Sequence, residues 1–201
     1  MKQNYQLILD KIIKTECKDG VRPSLLLHAC CAPCSSYVLE YLSKHFDITL
    51  FFYNPNISPE EENAYREAEL VRLVGEMGLS DSVRVIRGNY EPERFYELAK
   101  GLEELPEGGA RCAKCYELRL SETAKLASEG GYDFFTTTLS ISPYKNAEWL
   151  NSIGEAQGEK YGVRYLISDF KKRNGYKRSC ELSEIYGLYR QDFCGCEFSR
   201  R

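Results

Sequence analysis

An α/β fold built on a mostly parallel sheet is what the sequence predicts. Short apolar runs of strand length alternate with longer segments of helical periodicity, the first run is continuously apolar, and no repeat, low-complexity tract or linker divides the chain. Residues 24–29 read as a buried strand that ends at a cysteine cluster, with Ser35 or Ser36 as candidate N-cap for a helix whose spacing is marked by Tyr37, Val38, Tyr41 and Leu42. Residues 48–53 are the next strand, turned by Asn54-Pro55-Asn56 into a helix from about Pro59 to Met77 that stops near Gly78. A third strand is expected at 83–87, a helix at 91–105, and another helix with Ala113, Tyr116, Leu120, Ala124 and Ala127 on one face. After the Gly130-Gly131 stop, 132–138 reads as a fourth strand, 146–161 as a helix and 164–167 as a last strand. The expected architecture is Rossmann-like (HUP-like), with helices on both sheet faces.

At 201 residues and 43% hydrophobic, the chain buries a substantial core without disulfide staples. One domain is expected over 1–201, with its core at about 22–168 and a cysteine-bearing C-terminal extension over 169–201. The N-terminal segment has no apolar run of signal length, and no stretch approaches the roughly 20 apolar residues of a membrane span, so a cytoplasmic, membrane-free protein is expected. In a reducing compartment clustered thiols bind metal or react; they are seldom cross-linked. The formal charge of −3 means that any nucleic-acid contact must come from a local basic patch.

Seven of the nine cysteines fall in three clusters, Cys30-Cys31-Ala32-Pro33-Cys34, Cys112-Ala113-Lys114-Cys115 and Cys194-Gly195-Cys196. One C-x-x-C pair is weak evidence, but three clusters from the start, middle and end of a small chain exceed what packing demands. One zinc ion or one four-iron cluster takes at most four thiolates, which leaves a second task for the others. The first cluster lies in a strand-to-helix turn, where ligands of such folds gather and where a helix N-terminus favours thiolates. That turn has no glycine, which disfavours a phosphate loop. Cys112 and Cys115, three apart at a helix start, share one side of its first turn. Cys194 and Cys196 lie near the C-terminus, where chains are usually mobile. That position suits a redox pair cycling with an external reductant, or two thiolates gripping a metal.

Five segments together resemble the QueH-type epoxyqueuosine reductases. They are Leu27-His28-Ala29-Cys30-Cys31-Ala32-Pro33-Cys34, Tyr53-Asn54-Pro55-Asn56-Ile57, Arg111-Cys112-Ala113-Lys114-Cys115-Tyr116 continuing to Arg119-Leu120, Thr136-Thr137-Thr138-Leu139 continuing to Ser142-Pro143-Tyr144-Lys145, and Leu188-Tyr189-Arg190-Gln191-Asp192-Phe193-Cys194-Gly195-Cys196. The resemblance runs from about Leu26 to Ser199. It implies reduction of epoxyqueuosine to queuosine in tRNA without cobalamin, using a four-iron, four-sulfur (4Fe-4S) cluster, with a second iron as a further candidate, and electrons from an external donor. On this resemblance Cys30, Cys31, Cys112 and Cys115 are assigned as cluster ligands. Cys34 is a ligand of the second metal or an alternative cluster ligand, and Cys194 and Cys196 are a redox-active pair or further iron ligands. Cys17 and Cys180 fall outside the motifs and are expected to be bystanders.

Lys171-Lys172-Arg173-Asn174-Gly175-Tyr176-Lys177-Arg178 carries five positive charges and no negative one, and reads as a loop. Beside a tRNA site it is assigned to phosphate binding, extended by Lys145, Arg190 and Arg119. Tyr144 is placed to stack on a nucleobase. His28 and His45 are read as structural, and Glu60-Glu61-Glu62 as an acidic helix start without further role. Two other classes fit parts of the pattern: a PP-loop-like tRNA-thiolating enzyme, which needs the missing glycine-rich ATP loop, and a zinc-stabilised tRNA-binding module, which has no use for adjacent Cys30 and Cys31.

Overall fold

The computed structural model describes residues 3–199, so residues 1–2 and 200–201 of the expected domain lie outside the described residues. Strands β1 (Ser24–Ala29), β2 (Asp47–Phe52), β3 (Val83–Arg87), β4 (Phe134–Thr137) and β5 (Arg164–Tyr165) form one sheet in the order β3-β2-β1-β4-β5, every neighbouring pair parallel. β1 is central, pairing Leu26 with Thr49 on one side and with Phe135 on the other. A strand covered on both faces is apolar at every position, which is why its run does not alternate.

Helices α1 (Tyr5–Glu16), α2 (Ala32–Leu42), α3 (Glu60–Glu76), α4 (Pro92–Ala99), α5 (Ala110–Glu129), α6 (Ala147–Tyr161) and α7 (Gly175–Ile185) surround the sheet. Leu25, Leu27 and Ala29 face a core with Val38 and Leu39 of α2, Leu70 of α3 and Leu9 of α1. Leu26 faces the opposite core, with Leu120 and Ala124 of α5 and Leu150 of α6. Two cores on alternate β1 residues are the signature of a three-layer α/β arrangement. Among the described residues no helix is long and apolar enough to cross a membrane.

The elements depart from expectation where side chains take over backbone roles. α2 begins at Ala32, ahead of Ser35 and Ser36, whose hydroxyls donate back to the carbonyls of Cys31 (2.8 Å) and Pro33 (2.9 Å); Cys31 itself holds the N-cap position. β5 stops at Tyr165 because side chains take over after Leu166 N has donated to Phe135 O (2.8 Å): Leu166 O accepts from the Thr136 hydroxyl at 2.8 Å, and the Asn151 amide accepts from Ser168 N at 2.9 Å and donates to Ser168 O at 3.0 Å. The helix expected over 91–105 ends at Ala99, and the loop after it is gathered by the Arg111 guanidinium, which donates to the carbonyls of Leu102, Glu103 and Leu105 at 2.6–2.8 Å.

The basic segment is corrected most. Lys177 and Arg178 lie in α7, and only residues before Gly175 form a turn. Gly175 is required there because a Cβ would fall 1.9 Å from Phe170 O and 2.5 Å from the Tyr37 ring. Arg178 fastens α7 to α2 through a paired contact with Glu40 (2.6 and 3.0 Å). Arg173 pairs with Asp10 and Lys171 with Asp169 (2.8 Å).

Candidate metal centre

The first and third cysteine clusters line a cleft of about 540 Å³ beyond the carboxyl ends of β1, β2 and β4, where Cys30, Cys34 and Cys194 stand with Arg119, Tyr144 and Lys145, and the second cluster reaches the third through Cys115, which packs with Cys196. Cys30 and Cys31 follow the last residue of β1, and Cys34 lies in the first turn of α2. Their three sulfurs all lie within 4.8 Å of one another, with Cys30 and Cys31 Sγ 3.7 Å apart. Hydrogen bonds from the Cys30 and Cys34 thiols hold Cys31 well below the ordinary thiol pKa, while its two neighbours push Cys34 well above. The triad thus sets three sulfur donors close together at a helix N-terminus that favours thiolate, a soft set that fits a thiophilic metal.

Cys112 and Cys115 occupy the first turns of α5, and Gly108 N donates to Cys112 Sγ at 3.2 Å. Cys115 packs with Cys196, Phe95 and Ala99, and burial pushes its thiol up to about 11. Cys194 Sγ accepts from Lys145 Nζ at 3.1 Å. Among the described residues, Cys112 and Cys115 are not part of the 4.8 Å triad. The loop of Cys194 and Cys196 is fastened rather than trailing: Gly195 O accepts from Ser58 N (2.9 Å), Cys194 O from Arg66 Nη1 (3.3 Å) and Phe198 O from Arg111 Nη2 (3.4 Å). Gly195 is at φ +97°, and a Cβ there would meet Ile57 at 2.8 Å and Arg66 at 3.0 Å.

His28 is fully buried with both ring nitrogens engaged. Tyr53 O can only accept, so Nε2 carries the proton (3.0 Å) and Nδ1 accepts from the Thr137 hydroxyl (2.9 Å). Burial, then the nearby Arg119 charge, lower its pKa to about 4, so the ring is neutral, and the lone pair of Nδ1 is taken up by the Thr137 hydroxyl. His28 is thus structural, as expected. Asn54, two residues past β2, donates its amide to Ala29 O at 2.9 Å and so ties the end of β2 to the end of β1.

A family model described as epoxyqueuosine reductase QueH matches residues 25–201. The chain belongs to the QueH epoxyqueuosine reductase family. It is 46% identical to the epoxyqueuosine reductase QueH of Staphylococcus epidermidis, over 98% of this chain and 85% of that one. The corresponding protein of Streptococcus pyogenes is 43% identical over 100% and 79%, and that of Thermotoga maritima 36% over 88% and 90%.

The QueH motif segments converge in space. The basic residues assigned to one surface patch do not. Lys145 is 7% exposed, held between Glu107 (2.7 Å) and Cys194 at the cleft. Arg119 is 1% exposed, its Nη1 on Asn54 Oδ1 (3.2 Å), and so cannot extend a surface patch. Arg190 lies over the Tyr176 ring and donates to Ser183, at the same cleft. Lys172 and Lys177 are exposed and carry no ion pair among the described residues. Asn54 and Glu107 had no function assigned from sequence; Asn54 stood in a quoted motif, but an amide and a carboxylate give no signal until the fold sets them against Arg119 and Lys145.

Proposed function

We propose that this chain reduces epoxyqueuosine to queuosine in tRNA, with the clustered cysteines holding an iron–sulfur centre in the cleft. The observation that carries this reading is a cleft of nucleoside size, with a cationic floor, lined by thiols of the first and third clusters, with the second cluster joined to the third where Cys115 packs with Cys196, in a chain of this family. The net reaction takes two electrons and two protons and releases the epoxide oxygen as water, leaving the cyclopentene. A bound 4Fe-4S cluster supplies low-potential electrons, and a second iron beside it supplies a Lewis acid for the oxygen.

Cys30, Cys31, Cys112 and Cys115 are the proposed cluster ligands, held at the starts of α2 and α5 where backbone positions are fixed. Cys34, within 4.8 Å of Cys30 and Cys31, is then the sulfur available to a second iron. Cys194 and Cys196 are proposed as a redox pair: two thiols passing to a disulfide release two electrons and two protons, the number the epoxide consumes, and an external donor restores them. Lys145 orients Cys194 through its ammonium, with Glu107 balancing the charge. Burial opposes that charge, but the Cys194 sulfur and the Glu107 carboxylate hold the Lys145 pKa above its ordinary value.

Tyr144, 75% exposed after Pro143 at the cleft, presents a ring face for a flanking base. Phosphate contacts are assigned to Lys172, Lys177 and Arg190, while Lys171, Arg173 and Arg178 already hold acidic partners. Lys172→Ala with Lys177→Ala is expected to weaken tRNA binding and reduce the salt slope by about 1 per residue. Arg178→Ala is expected to lower thermal stability with little change in slope. Equal slopes for all these variants would return the segment to a solvated surface. The function itself is tested by incubating anaerobic protein and a low-potential reductant with tRNA carrying epoxyqueuosine; nucleoside analysis should show queuosine, and unchanged epoxide would reject the reading.

A further inference from the structure

Arg119 is a buried cation whose contacts leave part of it unused. Its Nε donates to Cys115 O (3.4 Å) and its Nη1 to Asn54 Oδ1 (3.2 Å), whereas Nη2, fully buried, has no partner. Among the described residues no carboxylate pairs with it. Arg111, equally buried, has four backbone carbonyls around its two terminal nitrogens and leaves only its Nε without a partner. Burying a guanidinium without a counter-charge is strongly unfavourable, and an unmade bond from a buried charged donor adds to the cost. The counter-charge available is sulfur: Cys30 and Cys194 line the same cleft as Arg119, and Cys115 lies one turn before it in α5 with its carbonyl on Nε.

We propose that Arg119 is a positioning residue for the metal centre: its Nη2 N–H groups donate to sulfur of the centre, and its charge raises the reduction potential. This rests on the iron–sulfur reading above. A fixed positive charge in a low-dielectric site stabilises the reduced, more negative state over the oxidised one, and hydrogen bonds to cluster sulfurs act in the same direction. Asn54 is the brace that aims the fork, since its Oδ1 takes Nη1 while its amide is tied to β1. A lysine supplies the charge as a point and lacks the planar fork.

The test is an EPR-monitored redox titration of anaerobically prepared protein, with iron and sulfide measured on the same samples. Arg119→Met is expected to lower the equilibrium constant for one-electron reduction at least tenfold, ~59 mV, with Arg119→Lys falling between it and the parent. An unchanged potential in Arg119→Met protein of full iron and sulfide content would overturn the proposal. An unchanged potential with a raised KM for tRNA would also overturn it, by assigning the guanidinium to a phosphate. Should the variants fail to fold, pulsed EPR of the parent protein carrying guanidino-15N arginine decides: a 15N coupling to the reduced centre is expected, and its absence overturns the proposal. Parent protein lacking iron and sulfide would be the separate failure of the iron–sulfur reading.

Discussion

Cys30→Ala and Cys31→Ala proteins are expected to lose their metal and to turn over epoxyqueuosine-tRNA ~1,000-fold or more slowly, as when the group on which the reacting centre depends is removed. Cys31 is 1% exposed, holds the N-cap position of α2 and is the sulfur of the triad most stabilised as thiolate. The fold should survive, because each change deletes a single sulfur and β1 keeps its neighbours on both sides. Far-UV circular dichroism should therefore match the parent while bound iron falls to background. Cys17→Ala and Cys180→Ala are the controls, expected to keep both metal and turnover; full metal content in Cys31→Ala would remove the triad from the centre.

The Cys194→Ser, Cys196→Ser double variant is expected to keep iron and sulfide and to lose turnover almost completely. The two thiols are set apart from the triad: Cys194 is bound by Lys145, and Cys196 is packed against Cys115 and Phe95. Their loop stays anchored by Ser58, Arg66 and Arg111 through backbone carbonyls, contacts that serine leaves untouched. Loss of metal together with turnover would make the pair ligands. Full activity would leave the other five clustered cysteines to carry the chemistry. A mobile terminus was the expected setting for a redox pair, and the anchoring found here instead brings Cys194 to a fixed place on the cleft, so the external donor must approach the cleft itself.

The sheet was legible because β1 and β2 are covered over most of their length and read as nearly unbroken apolar runs, and the edge strand β3 shows as the β-branched residues Val83, Val85 and Ile86 interrupted by Arg84, each with a clear stop. α1 and α7 were not. α1 carries Asp10, Lys11, Lys14 and Glu16 among its apolar residues and is held by an Asn4 cap that accepts from Leu7 N at 3.3 Å. α7 starts at a glycine after Asn174 at φ +61°, a pair that resembles a turn until Phe170 O is seen to occupy the place of a Cβ. At the site, the cysteines announced themselves by type and spacing. The burial of Lys145 and Arg119 did not, because a basic residue in sequence carries no sign of whether the fold will enclose it. Arg119 follows Cys115 by one helical turn, so its nearness to that cysteine could be read from spacing. Its bond to Asn54 and its place on the cleft with Cys30 and Cys194 depend on three other segments arriving at the same point.

Iron and acid-labile sulfide, counted per chain in protein purified and kept without oxygen, test the central claim most directly. At least four irons with matching sulfide, and the broad visible absorption of a brown protein, are predicted from seven clustered thiols of which three lie within 4.8 Å of one another. Stoichiometric zinc without sulfide would contradict the account, and would turn the same cysteines into a structural site.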